Sequence, residues 1–281
     1  MSATLIGQSL LSGLMSGCLY ALLGLGLTLT WKYLRIINLA HFALIFLAAY
    51  LTYEMSTRGW HPFLSALLLL PVFFMLGAAQ QVLMSRYKVD EFASVIVTFG
   101  VTIIIESLIQ YVWSADFIRV EKRLARGSLE LGPWLAPWDQ LIMCGFSIIA
   151  CLLVWVVLKH TWHGKALRAQ LDNPSIAAAF GVPNRKLSLA LAGMGSAFAA
   201  LGGVFIALLF TLTPSQIYSW FGVILATVLL GGLGSTFGAL AAGMVIGVGE
   251  SLTMALTAPA WAPIVPFTLL ILILILWPER L

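Results

Sequence analysis

Apolar residues run along this chain in blocks of about 20, too long for a half-buried strand and lacking the polar face of a surface helix. The blocks fall at 8–30, 36–56, 62–84, 92–113, 139–159 and 186–212, then as a pair at 218–232 and 236–256 and a last one at 263–278. At 1.5 Å per residue, about 20 apolar residues cover the ~30 Å hydrocarbon core of a bilayer. Open sheet edges cannot face lipid, and no block alternates as barrel strands must. The pattern predicts an all-α fold, a polytopic transmembrane helical bundle of about 8–9 membrane segments, nine if the short seventh and the last both count.

Composition supports the membrane reading. Hydrophobic residues make up 61% of the 281 and charged residues 9%, where a soluble domain would need about a quarter of its residues charged. The formal net charge of +4 is therefore no sign of nucleic-acid binding; its meaning lies in where the basic residues fall. Cys18, Cys144 and Cys151 sit in apolar runs without ligand spacing, as small buried hydrophobes do.

The basic residues orient the chain. Lys32, Arg35, Arg86, Lys88, Lys159, Lys165, Arg168, Arg185 and Lys186 share one side, and Arg58, Arg119, Lys122, Arg123 and Arg126 the other, nine against five. Cytoplasmic loops carry the excess of Lys and Arg, so the first side is expected to be cytoplasmic. Loop 114–138 is then extracytoplasmic, as is the amino terminus, and with nine crossings the carboxyl end Pro278-Glu279-Arg280-Leu281 is cytoplasmic. No basic residue precedes the first block, so that block is expected to remain rather than be cleaved as a leader.

Small residues mark where helices meet, because close backbone approach supplies the packing energy in lipid. Gly13 and Gly17 in the first block, Ala192, Ser196, Ala199 and Gly203 in the sixth, and Ala239, Gly243 and Gly247 in the eighth form such stripes. The cluster Gly231-Gly232-Leu233-Gly234-Ser235-Thr236-Phe237-Gly238 interrupts an apolar run and reads as a cytoplasmic turn, with an unwound pathway element as the alternative.

Ionisable and polar groups at membrane depth are costly and should face protein or water. Ser94, Thr98, Thr102, Glu106 and Gln110 follow at four-residue steps, a stripe that either lines a pathway or forms a hydrogen-bonded seam. Glu250 lies on the face of Gly243 and Gly247, in position for a structural hydrogen bond or for a transport role. Asn38 and His41 share a face at the start of the second block as interfacial or pathway residues, with no second ligand at metal spacing.

The one sizeable polar island on the basic side is 164–182, inside a cytoplasmic segment of about 160–185. Within it, Asp172-Asn173-Pro174 can start a short helix, an Asx residue capping it and Pro occupying the first turn. The chain lacks a phosphate-binding loop, a nucleophile–base cluster and a cofactor fingerprint, so neither ATP hydrolysis nor a cofactor is expected of it.

Three ordered blocks carry a family resemblance. Leu19-Tyr20-Ala21-Leu22 and Gly24-Leu25-Gly26-Leu27-Thr28-Leu29 leading into Leu34 to His41, the island at 164–182, and Val228 to Gly238 together resemble the shorter permease subunit of branched-chain amino acid type ABC importers. Phe42 departs from that pattern, which commonly has glycine after the histidine. The resemblance implies a single transmembrane permease domain over 1–281 in a bacterial plasma (inner) membrane. It implies as partners a second, different permease subunit, two cytoplasmic ATP-binding subunits and an extracytoplasmic solute-binding protein. It assigns the island to ATPase coupling through Gly164, Arg168, Ala169, Asn173, Ala177 and Gly181. The solute would be a branched-chain or other hydrophobic amino acid, or a related small polar solute such as urea, an amide or an aromatic acid. The competing expectation is a self-contained, proton-coupled secondary transporter using Glu106 or Glu250.

Overall fold

Every apolar block becomes a helix. The computed structural model describes residues 3–121 and 127–276. Of the groups used to orient the chain, Lys122, Arg123, Arg126 and the carboxyl end from Pro278 to Leu281 lie outside the described residues. The helices are α1 (Ala3–Leu34), α2 (Ala40–Thr57), α3 (Pro62–Arg86), α4 (Glu91–Trp113), α5 (Trp138–His160), the short α6 (Trp162–Asp172) and α7 (Pro174–Ala179), α8 (Asn184–Leu209), α9 (Gln216–Gly231), α10 (Thr236–Leu256) and α11 (Ile264–Leu276).

By length and hydropathy, six of these, α1, α3, α4, α5, α8 and α10, are able to cross a membrane, among the described residues. The other apolar helices are shorter: α2 has 18 residues, α9 has 16 and α11 has 13. Placement compensates for α2, which buries Phe42, Phe46 and Tyr50 completely. It packs between α8, α4 and α3 near the centre of the bundle. α1 and α8 are the other inner helices, 67% buried over their apolar stretches against 22% for α4 and 28% for α3.

One expectation needs correcting in detail. The loop at 114–138 contains an antiparallel hairpin, β1 (Ser128–Leu131) with β2 (Trp134–Pro137), outside the helical part. Leu131 pairs with Trp134 across Gly132-Pro133, and Gly132 has φ +67. A two-residue turn with positive φ at its first position and Pro at its second has the signs of a type II′ turn. Gln8 holds the hairpin against α1, its side chain bonding both Leu135 O and Leu135 N at 2.9 Å.

The stripes of small residues find each other. A Cβ added at Gly17 would lie 2.5 Å from Gly243 O and Met244 Cα, and one at Gly13 2.6 Å from Val248 Cα. The first and eighth blocks therefore touch backbone to backbone as α1 and α10. On α8, Gly203 meets Ile45 O and Ala48 of α2, and Ser196 meets Gly77 of α3. α8 is consequently the helix against which α2 and α3 are both laid.

The 231–235 cluster is a turn between antiparallel α9 and α10. Gly232 and Gly234 have φ +81 and +76, and Ser235 Oγ accepts from Gly238 N at 3.0 Å to cap α10. The turn is stapled to the end of α1: Gly234 N donates to Thr28 Oγ1 at 2.8 Å, and Lys32 Nζ to Leu233 O at 2.9 Å.

Candidate functional site

The polar island folds as two short helices under the bundle. Thr161 Oγ1 accepts from Gly164 N at 3.3 Å to start α6, and Gly164 is packed so closely on the end of α5 that a Cβ would strike Leu158 O. Arg168 donates to that same Leu158 carbonyl, so its guanidinium satisfies an open C=O at the α5 C-terminus. Asn173 is the cap of α7: its Oδ1 accepts from Ser175 N at 3.1 Å and Ile176 N at 3.0 Å, with Pro174 in the first turn. Of the two Asx residues that could cap this helix, the structure uses Asn173.

Tethers bind this pair to the membrane helices. Gln170 Nε2 donates to Ser188 Oγ of α8 at 2.9 Å, and Asn184 Nδ2 donates to Pro174 O at 2.8 Å. A polar recess of about 260 Å³ lies between Tyr33, Arg35, Gln81, Gln170, Asp172 and Ser188, where the island meets α1, α3 and α8. A displacement of α6–α7 would be felt by those helices.

The named island residues divide by exposure. Ala177 is buried at 4% and Gly164 is enclosed, whereas Arg168, Ala169, Asn173 and Gly181 are exposed, Gly181 with φ +81 after the last turn. Two apolar side chains that sequence reading passed over are the ones presented outward: Ile176 at 56% and Phe180 at 86% exposed. Their i, i+4 spacing on a polar island was the available signal.

The four-residue stripe on α4 splits. A step of four turns about 40° past a full revolution, so the stripe winds from one side of the helix to another. Ser94, Thr98 and Thr102 are buried. Thr98 Oγ1 accepts from Leu39 N at 3.0 Å and donates to Ser94 O at 2.7 Å, which fixes the start of α2 on α4. Thr102 Oγ1 donates to Thr98 O at 2.9 Å. Within this chain Thr98 is a joint between helices, whereas Thr102 is buried and bonded within α4 itself. Glu106 is half-buried and Gln110 exposed. Gln110 Nε2 donates to Glu106 Oε1 at 3.3 Å, and Tyr218 of α9 donates to Glu106 Oε2 at 2.5 Å.

The remaining candidates are internal ties. Asn38 Oδ1 accepts from Gln80 Nε2 of α3 at 2.9 Å. His41 is 2% exposed with Nε2 2.8 Å from Leu23 O of α1. Phe42, the departure from the expected glycine, is 1% exposed and packs its ring 4.7 Å from that of Phe221 on α9. Glu250 is 6% exposed and accepts from Tyr20 OH. Among the described residues no group of three or more His, Cys, Asp or Glu is arranged to hold a metal.

A bundle of helices apolar and long enough to cross a bilayer, with a tethered polar helix pair at one end, is the architecture of a multi-pass membrane protein. The chain matches the family described as "Branched-chain amino acid transport system / permease component" over residues 9–274 and belongs to that family. It is similar to the high-affinity branched-chain amino acid transport system permease protein LivH of Salmonella typhimurium and of Escherichia coli, 23% identical over 96% of this chain and 93% of each relative. It is also 27% identical to the probable branched-chain amino acid transport permease protein LivH of Methanocaldococcus jannaschii, over 83% of this chain and 76% of that one. Among solved structures, PsaBC from Streptococcus pneumoniae in complex with Fab has the same fold: TM-score 0.51, 15% identity, covering 98% of this chain and 92% of that chain. The permeases of this family are transport subunits of the membrane, not enzymes.

Proposed function

We propose that this chain is one translocation subunit of an ATP-driven ABC importer, working beside a second, different permease subunit, two cytoplasmic ATP-binding subunits and an extracytoplasmic solute-binding protein. The solute is a branched-chain or other hydrophobic amino acid; relatives named for branched-chain amino acid transport over nearly the whole chain support that class. The single observation that carries the coupling role is the capped α7, which holds Ile176 and Phe180 outward while Gln170 and Asn184 tie its surroundings to α8. An apolar pair on a rigid, tethered helix is what a groove on a motor subunit can grip. Gly164, Arg168, Asn173, Ala177 and Gly181 build and seat this element, and Ala169 lies exposed beside it.

In this reading the chain is one transmembrane domain with nine segments, residues 160–185 cytoplasmic, loop 114–138 extracytoplasmic, amino terminus outside and carboxyl terminus inside. Contacts that gather the basic ends of the helices support it: Lys32 reaches the 233–234 turn, and Arg168 the end of α5 near Lys159. The proton-coupled alternative loses ground at Glu250, which is enclosed between α1 and α10, and the relatives named as transport-system permease components do not favour it. The test is co-purification with uptake. A tagged chain brings down an ATPase and a second permease, and the complex in proteoliposomes takes up leucine only with ATP inside and the binding protein outside; leucine uptake driven by a pH gradient without ATP would refute it.

A further inference from the structure

The faces that the helices leave uncovered differ in chemistry. On α3 the outward residues include Leu64, Leu67, Val72 and Met75, and on α5 Ile149 and Leu153, all apolar as lipid contact requires. The side shared by α4 and α9 differs: Glu106 is half-buried there, joined by the exposed Gln110 and Tyr218, which both donate to it. Glu106 lies seven residues before the end of α4 at Trp113, about 10 Å inside that end. A carboxylate well inside an apolar helix is costly against hydrocarbon, which favours water or protein on this side in the assembly.

Both groups that hold Glu106 are neutral donors, the Tyr218 phenol and the Gln110 amide. Among the described residues no Lys or Arg forms an ion pair with Glu106, in contrast to Glu54, which pairs with Arg58. A carboxylate has about four acceptor positions, of which these donors occupy two. The arrangement orients a negative charge without neutralising it.

We propose that Glu106, presented by Tyr218 and Gln110, is a binding point for the ammonium group of the transported solute on the path between this chain and the second permease. The proposal rests on reading the chain as a permease for amino acids. An ammonium carries three donors and a positive charge, matching the acceptor positions that remain and supplying a counter-ion that none of the described residues does. A neutral amide could hydrogen-bond here but brings no charge, and a carboxylate lacking an amine would be repelled, so Glu106 favours amine-bearing solutes.

The test uses the complete complex in proteoliposomes, with Cys18, Cys144 and Cys151 replaced by alanine and Ile103→Cys placing a thiol one helical turn from Glu106; Ile103 is 45% exposed. Its reaction is timed with a trimethylammonium and with a sulfonate methanethiosulfonate, each relative to its rate on free cysteine. The cationic reagent is expected to be favoured about tenfold through the focused field of the carboxylate, and Glu106→Gln to bring the ratio near one. In vesicles without the thiol, Glu106→Gln is expected to lower leucine uptake about tenfold, because an amide cannot supply the charge. A thiol inert to both reagents, or a ratio unchanged by Glu106→Gln, overturns the proposal. If the parent complex carries no leucine, it is the amino-acid reading that fails, while the reagent ratio still decides whether Glu106 attracts cations.

Discussion

Tyr20 and Glu250 are 230 positions apart in the chain, yet the Tyr20 hydroxyl donates to Glu250 Oε2 at 2.5 Å between α1 and α10. Trp220 of α9 sets its ring edge-on to that of Tyr20, 5.9 Å between centroids. One buried acid is thus tied into the contact of three helices. Tyr20→Phe leaves the carboxyl without its donor and is expected to destabilise the protein by about 1–3 kcal/mol. Glu250→Gln keeps an acceptor for the phenol and should cost less. Thermal unfolding of the detergent-solubilised protein orders the two, and an equal or larger loss for Glu250→Gln would show that the charge itself matters.

The α1–α10 contact has a sharper test. Gly17→Ala places a methyl 2.5 Å from the backbone of Gly243 and Met244, so the helices must part. Overpacking of this kind costs about 1–3 kcal/mol, and a lower melting temperature with reduced monodisperse yield is expected. Gly145→Ala on α5 meets nothing within 4 Å and serves as the control that should not destabilise. Equal behaviour of the two variants would refute the packing.

Coupling is tested at the exposed pair. Phe180→Glu changes a side chain that is 86% exposed, so insertion and stability should stay near parental while the ATPase is lost from the purified complex. Removing a central apolar anchor typically costs an interface about 2 kcal/mol or more, a thirtyfold weakening that pull-down titration resolves. Retention of the ATPase at parental affinity would remove Phe180 from the docking surface.

Orientation is read by labelling. With Ser128→Cys in β1 and Ser175→Cys in α7, an impermeant maleimide applied to intact cells should modify the first and not the second, as the distribution of Lys and Arg implies. Disruption of the cells should expose the second. Labelling of both in intact cells would contradict the topology.

Much of this was legible in the residues themselves. The nine apolar blocks all became helices, six of them, among the described residues, long and apolar enough to cross a bilayer. The Asn-Pro start of α7 followed from local capping chemistry, and the glycine turn at 231–235 from positive-φ requirements that few other residues meet. The Gly132-Pro133 hairpin was missed because a four-residue strand leaves little pattern among loop residues.

What sequence alone determined is therefore local: helix spans, caps, turns and the existence of small-residue stripes, each set by residues within a few positions of one another. Only the tertiary structure decided partners. It matched the Gly13–Gly17 stripe with Gly243–Gly247 and gave Glu250 to Tyr20 and Glu106 to Tyr218. It also tied the exposed Arg168 to the end of α5 while leaving Ile176 and Phe180 without such a tie. Helix–helix contacts in a membrane rest on close approach and a few hydrogen bonds. Many pairings satisfy a given stripe or carboxylate, and the choice among them is made by the packing of the whole bundle.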